Sequence, residues 1–233
     1  MEEIQTFKDF FKRKIIDLSR EKTGRLKTPM DMALLILRAY KILPTPLIAL
    51  DLFSRNGLGV TADFAPRCDY LEMWEINPKY AKFAKIFFPK AIVKIGDSIK
   101  ATKEGKLLRK DYNFIVMDNS LGIFDETLGY CEHFNFFPEI FNYIDNKGAI
   151  FVMNVVTNVE EVIGGQDSFT RLDNWLKKRR NFYNKDANFR KTNPEELEEI
   201  YKNKFTDWGI KTKKIFYIPR NSFVGFLIIV VEK

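Results

Sequence analysis

Four acidic residues, Asp51, Glu75, Asp97 and Asp118, stand 21 to 24 residues apart, each closing or directly following a short apolar run. A carboxylate at the end of a buried run can accept hydrogen bonds from a ligand's hydroxyl or amine groups and can offset a positive charge there. One such residue would be commonplace, whereas four in step describe a repeated placement. Asp51 leads into Phe53-Ser54-Arg55-Asn56-Gly57-Leu58-Gly59, a glycine-containing turn that lets backbone come close to a ligand. Glu75 lies 24 residues further on, a separation at which an acid accepts hydrogen bonds from the hydroxyls of a ribose. In Gly96-Asp97-Ser98 a carboxylate and a hydroxyl can meet the amino edge of a purine, although the same triplet also makes an ordinary helix-capping turn. Asp118-Asn119 ends the fourth run.

These residues need strands to carry them. The runs 47–52, 70–75, 91–95, 113–117 and 149–155 read as buried strands, with helical stretches between them that include Pro78 to Phe88 and Phe134 to Tyr143. Strands alternating with helices predict parallel crossovers and a sheet covered on both faces, with ligands beyond the carboxyl ends of the strands. The last two runs, 210–218 and 222–231, are joined through Pro219-Arg220-Asn221, which is hairpin spacing and therefore antiparallel. Before the first strand, Ile4, Phe7, Phe11, Ile15 and Leu18 mark an amphipathic helix, and Thr28-Pro29 opens a second one with an N-cap and a proline at the first helical position.

Composition narrows the chemistry. The chain of 233 residues holds a single histidine and two cysteines. His133, Cys68 and Cys131 cannot build a cysteine-rich zinc site or a secreted disulfide framework. The charged start lacks a signal-peptide core, and no apolar run approaches the roughly 18 residues of a membrane span, so a soluble cytoplasmic setting is expected. The net charge of +7 is unevenly spread: residues 1–50 carry +4, residues 51–167 carry −4 and residues 168–233 carry +7. Basic flanks around an acidic middle suit an anionic partner, although surface lysines also serve solubility. The tract Lys177-Lys178-Arg179-Arg180, continuing through Phe182, Tyr183, Lys185, Phe189, Arg190 and Lys191, interleaves cations with aromatic rings as phosphate contact and base stacking require.

Over residues 45–155 and again through the closing hairpin, the sequence resembles the class I S-adenosylmethionine-dependent methyltransferases. The motifs that carry the resemblance are DLFSRNGLG, EINP, GDS and the acid after the fourth strand. It implies a Rossmann-like α/β fold: a mostly parallel seven-stranded sheet, helices on both faces and a C-terminal antiparallel hairpin. It also implies that Asp51, Ser54, Asn56, Gly57 and Gly59 hold the methionine part of S-adenosylmethionine, that Glu75 binds the ribose and that Asp97 with Ser98 meets adenine. Asp118 and Asn119 would orient the methyl acceptor, and His133 would sit on the substrate rim as a general base. Lys177, Lys178, Arg179 and Arg180 would bind an RNA or DNA acceptor, favoured over a small molecule or protein. The domain expected is 46–233, with a basic helical insertion at about 156–209 and residues 1–45 packing on it as a helical segment.

Two features depart from the family pattern. Glycines usual two and four residues after the first acid are replaced by Phe53 and Arg55, and the Pro-Pro signatures of the amino-group and cytosine-C5 enzymes are absent after Asp118. A catalytically inactive binding subunit of the same fold and a polyamine-synthase-like aminopropyltransferase are therefore the alternatives.

Overall fold

Each apolar run becomes a strand in the computed structural model, which describes residues 28–119, 133–159, 169–183 and 192–233. The strands are Ile48–Asp51 (β1), Tyr70–Glu75 (β2), Ile92–Ile95 (β3), Phe114–Met117 (β4), Ala149–Val156 (β5), Lys211–Pro219 (β6) and Val224–Glu232 (β7). They form one sheet in the order β3-β2-β1-β4-β5-β7-β6. The first five are mutually parallel, and β7 runs antiparallel to both β5 and β6. Burial follows this order: every residue of the central β4 and β5 is buried, whereas both edge strands, β3 and β6, contain exposed positions. The mostly parallel sheet with its closing hairpin agrees with the sequence expectation.

Alternation of side chains divides the core in two. One face carries Leu50, Trp74, Ile115 and Phe151, packed with Tyr201 and Phe205 from helix Pro194–Asp207. The opposite face includes Phe114, in ring contact at 5.5 Å with Phe64 of the short helix Val60–Phe64. Helix Pro78–Phe87 lies on β2 and β3 and buries only Ala81 and Ala84. In chain order the helices are α1 (Pro29–Ala39), α2 (Val60–Phe64), α3 (Pro78–Phe87), α4 (Ser98–Lys103), α5 (Phe169–Tyr183) and α6 (Pro194–Asp207). The chain separates into two compact units, 1–43 and 44–233. In the first, α1 starts as the sequence requires: Thr28 Oγ1 accepts from the Asp31 N–H at 3.1 Å, and Pro29 occupies the first turn. The amphipathic run Ile4 to Leu18 lies outside the described residues.

One expected helix differs. Phe134 to Tyr143 folds as two 3₁₀ segments, His133–Phe136 and Glu139–Tyr143. Pro138 lacks the N–H that a continuous helix needs and biases Phe137 away from helical torsions, so the run breaks between them.

A buried carboxylate braces β2 from below the sheet's carboxyl edge. Glu72 accepts from Trp74 Nε1 at 2.6 Å, from the Tyr70 hydroxyl at 3.2 Å and from the Tyr112 hydroxyl. Burial together with the Glu72 charge pushes the Tyr70 phenol up to about 12, so both tyrosines stay protonated donors.

Candidate active site at the carboxyl edge of the sheet

The strand order reverses between β1 and β4, and the acids at these strand ends face the same edge. Asp51 closes β1 and is 1% exposed. Its Oδ2 accepts from Thr61 Oγ1 of α2 at 2.5 Å, and its Oδ1 accepts from the Phe53 N–H at 3.3 Å. Burial pushes this carboxyl up to about 7; the two hydrogen bonds oppose the rise, and the charges of Asp118 and Glu75 add to it. Glu75 and Asp118, 24 and 67 residues further along the sequence, therefore both act electrostatically on Asp51.

The loop after Asp51 is folded back over β2. Leu52 N–H donates to the Val116 carbonyl, and both the N–H and the hydroxyl of Ser54 donate to the Trp74 carbonyl, at 3.0 and 3.1 Å. Arg55 then adopts φ +51° and Gly57 φ +76°. Arg55 stands four residues after the first acid, and it takes the left-handed conformation that glycine occupies most cheaply. The loop has kept a glycine-like turn without the glycine. At Gly57 a Cβ would lie 2.2 Å from the Phe88 ring, so the close approach there is to Phe88 and not to a ligand. Gly59 differs, because a Cβ built on it meets nothing within 4 Å. Asn56 Oδ1 is used within the turn, accepting from the Leu58 N–H at 3.2 Å.

Glu75 is buried at the end of β2, with Oε1 accepting from the Asn77 N–H at 2.7 Å. Burial raises its carboxyl above the ordinary range, against the Asn77 and Arg55 amides and the Arg55 charge, which lower it. The exposed Arg55 also lowers Asp118 through its charge, although less than Arg220 does.

Asp97 is the N-cap of α4, its Oδ1 accepting from the N–H groups of Ile99 and Lys100 at 2.8 and 3.2 Å. Ser98 Oγ donates to the Leu52 carbonyl at 2.6 Å, which ties the ends of β3 and β1 together and occupies the hydroxyl expected to meet a ligand.

At the end of β4, Asp118 pairs with Arg220. Burial raises its carboxyl, and the Arg220 guanidinium is the main opposing influence. Arg220 Nη1 also donates to Asn154 Oδ1 at 3.2 Å, Asn154 Nδ2 donates to the Asn119 carbonyl at 3.0 Å, and the guanidinium lies 4.5 Å above the Phe226 ring. Thr61, Asn154 and Arg220 are site residues that sequence reasoning missed. Arg220 was visible only as part of a hairpin link.

Two expected site residues lie elsewhere. His133 is fully buried, with Nε2 bonded to the Tyr201 hydroxyl and its ring against Phe134 and Phe182. Burial, reinforced by the Arg179 charge, depresses it to about 3, so it stays neutral and enclosed and cannot work from a substrate rim. Of the basic tract, Lys177, Lys178 and Arg180 are exposed on α5, whereas Arg179 is buried. Its Nη2 donates to the Val156 carbonyl at 3.0 Å and its guanidinium lies 5.1 Å from the rings of both Trp175 and Tyr183. Residues 175, 179 and 183 share one helical face at four-residue spacing, which is the signal that could have located it. Lys185, Phe189, Arg190 and Lys191 lie outside the described residues. Among the described residues, no group of three or more His, Cys, Asp or Glu side chains could hold a metal, and no helix is long and apolar enough to cross a membrane.

Solved structures share this architecture. TYW2 from Pyrococcus horikoshii, in complex with MeSAdo, superposes with a TM-score of 0.50 at 14% identity, covering 90% of this chain and 66% of that one. The fold is that of the class I methyltransferases. The 1,6-didemethyltoxoflavin-N1-methyltransferase of Burkholderia thailandensis, solved with 1,6-didemethyltoxoflavin and S-adenosylhomocysteine, gives 0.50 at 11% identity, over 98% of this chain and 87% of that one. Trm5b from Pyrococcus abyssi gives 0.47 at 14% identity over 87% of this chain, which spans 49% of that protein. No family model matches the sequence, and no curated protein matches it.

The residues at this edge fit a hydroxyl-bearing ligand such as S-adenosylmethionine. Asp51, Glu75 and Asp118 bring three carboxyl groups to one edge, Asp118 already paired with Arg220, and the space open beside Gly59 leaves room for approach.

Proposed function

We propose that this chain is an S-adenosylmethionine-dependent methyltransferase. The observation that carries this reading is the convergence of the buried Asp51 and Glu75 and the half-buried Asp118 at the switch point of a class I methyltransferase sheet. When bound, the cofactor supplies a methyl group activated on a sulfonium. Asp51 and the backbone of the loop to Gly59 hold its amino-acid end, Glu75 accepts from the ribose hydroxyls, and Asp97 flanks the base. Asp118, held by Arg220, and Asn119 orient the acceptor beside it. In-line methyl transfer depends chiefly on alignment, so enclosure of the only histidine is no obstacle.

The acceptor favoured is RNA or DNA, supported by the exposed cations Lys177, Lys178 and Arg180. The inactive-subunit alternative drew on Arg55, and the glycine-like torsion at that residue weakens it. An aminopropyl transferase favours an acidic pair around an amine; here Asp118 is already matched by Arg220.

Calorimetry with S-adenosylhomocysteine tests the cofactor reading. Saturable binding is expected, with Glu75→Ala weakening it about tenfold, equivalent to roughly 1.4 kcal/mol. A folded protein that releases no heat would sink the proposal. Transfer of labelled methyl into RNA, DNA or a metabolite extract then identifies the acceptor class.

A further inference from the structure

Helix α3 is built inside out. It turns Ala81 and Ala84 toward the sheet and leaves Tyr80, Phe83, Ile86 and Phe87 in solvent, with Ile86 62% exposed. A helix that served only to cover the sheet would place its large apolar residues inward. Beside it runs β3, an outer strand of the sheet whose Ile92 and Ile95 are also exposed, Ile95 at 52%. These side chains lie on one helix and on the edge strand it packs against, Ile92 and Ile95 on opposite faces of that strand, and exposed apolar surface of this kind marks an interaction site. The same segment is strongly cationic. Residues 76–96 contain Lys79, Lys82, Lys85, Lys90 and Lys94 and not one acidic residue, within the part of the chain that is otherwise acidic.

We propose that the β3 edge and the outer face of α3 form a docking surface for an acidic polypeptide segment that adds to the sheet as a further strand. Three features select this occupant. An outer strand offers backbone N–H and C=O groups that another polypeptide strand can pair with. The side chains exposed on the strand itself, Ile92 and Ile95, have no ring for base stacking and favour an apolar side-chain partner along that edge; the rings of Tyr80, Phe83 and Phe87 lie on α3 beside it. The five lysines repel a second copy of the same face and attract carboxylates. Ile95 is the register partner of Glu75, so this end of the surface adjoins the carboxylate cluster, whereas Ile92 stands opposite Glu72, three residues back along the strand.

Fluorescence anisotropy of the full chain with a labelled ten-residue peptide of alternating Glu and Val tests the idea, with the Lys-Val peptide as control. Saturable binding of the acidic peptide only is expected, together with slowed amide exchange at residues 92–95. Phe83→Glu and Ile95→Glu, both at exposed positions, should each weaken binding about tenfold or more. Equal binding by these variants, or equal binding of the Lys-Val peptide, overturns the proposal. So does loss, in the same variants, of binding to a uridine 20-mer or to phosphatidylglycerol vesicles when the wild type does not bind the peptide, or sedimentation of the wild type as a dimer that the variants dissolve.

Discussion

Asp51 carries the cost of its position as a dependence on pH. Its carboxyl is raised to about 7 by burial, so below about pH 4 both folded and unfolded chains hold the proton and no penalty arises. As pH rises toward 7 the unfolded chain ionises while the folded one does not, and each unit removes about 1.4 kcal/mol of stability. Above 7 the loss is complete. Asp51→Asn, which cannot ionise, should therefore gain on the wild type between pH 5 and pH 8 by on the order of 3 kcal/mol. Urea unfolding of the unliganded protein at the two pH values reads this directly; parallel losses in both proteins would refute it. Arg55 makes a second case. At φ +51° a glycine is more comfortable by about 1 kcal/mol, so Arg55→Gly should raise the melting temperature by a few degrees. It also removes the cation that opposes the raised Glu75 and Asp118 carboxyls, and both should titrate higher by NMR. A lower melting temperature would mean that the charge outweighs the torsion.

The hairpin β6–β7 completes the edge that β4 begins. Arg220, at the turn, pairs with Asp118 across 102 residues, and Asn154 on β5 shares the same guanidinium nitrogen. Arg220→Ala leaves Asp118 partly buried without its counter-charge and should cost about 1–2 kcal/mol in thermal or urea unfolding, less than for a fully buried pair. Asp118→Asn in the same background should recover most of that loss; failure to recover would show that Arg220 acts through its stacking on Phe226 instead. This pairing also explains what was legible beforehand. Asp51, Glu75 and Asp118 could be found because a strand's end is a local feature, written as an apolar run followed by an acid. Arg220 could not, since its partner lies in a different part of the chain and nothing near it marks the contact. Arg179 was misread because a cation is expected in solvent, and only its spacing from Trp175 and Tyr183 reveals the buried face. His133 was misplaced because the order of elements shows that it follows β4 but not that Tyr201, on a later helix, closes over it.

Across the whole molecule, charge is sorted by place. The acidic middle gathers three carboxylates at one edge of the sheet, while α5 presents Lys177, Lys178 and Arg180 outward. If those cations hold a nucleic acid, removing all three should flatten the dependence of log affinity on log salt by roughly 2 for a single strand. A filter-binding titration from low to physiological salt measures that slope, and an unchanged slope would move the acceptor class toward small molecules. The distance between Asp118 and its partner bears on how the protein is made as well. Synthesis proceeds from the amino end, so Asp118 leaves the ribosome 102 residues ahead of Arg220. Until the β6–β7 hairpin has been translated and has paired with β5, the Asp118 end of the edge lacks the guanidinium that steadies it. A nascent chain with β1 to β5 already paired would still leave Asp118 without its counter-charge, which arrives only with β6 and β7.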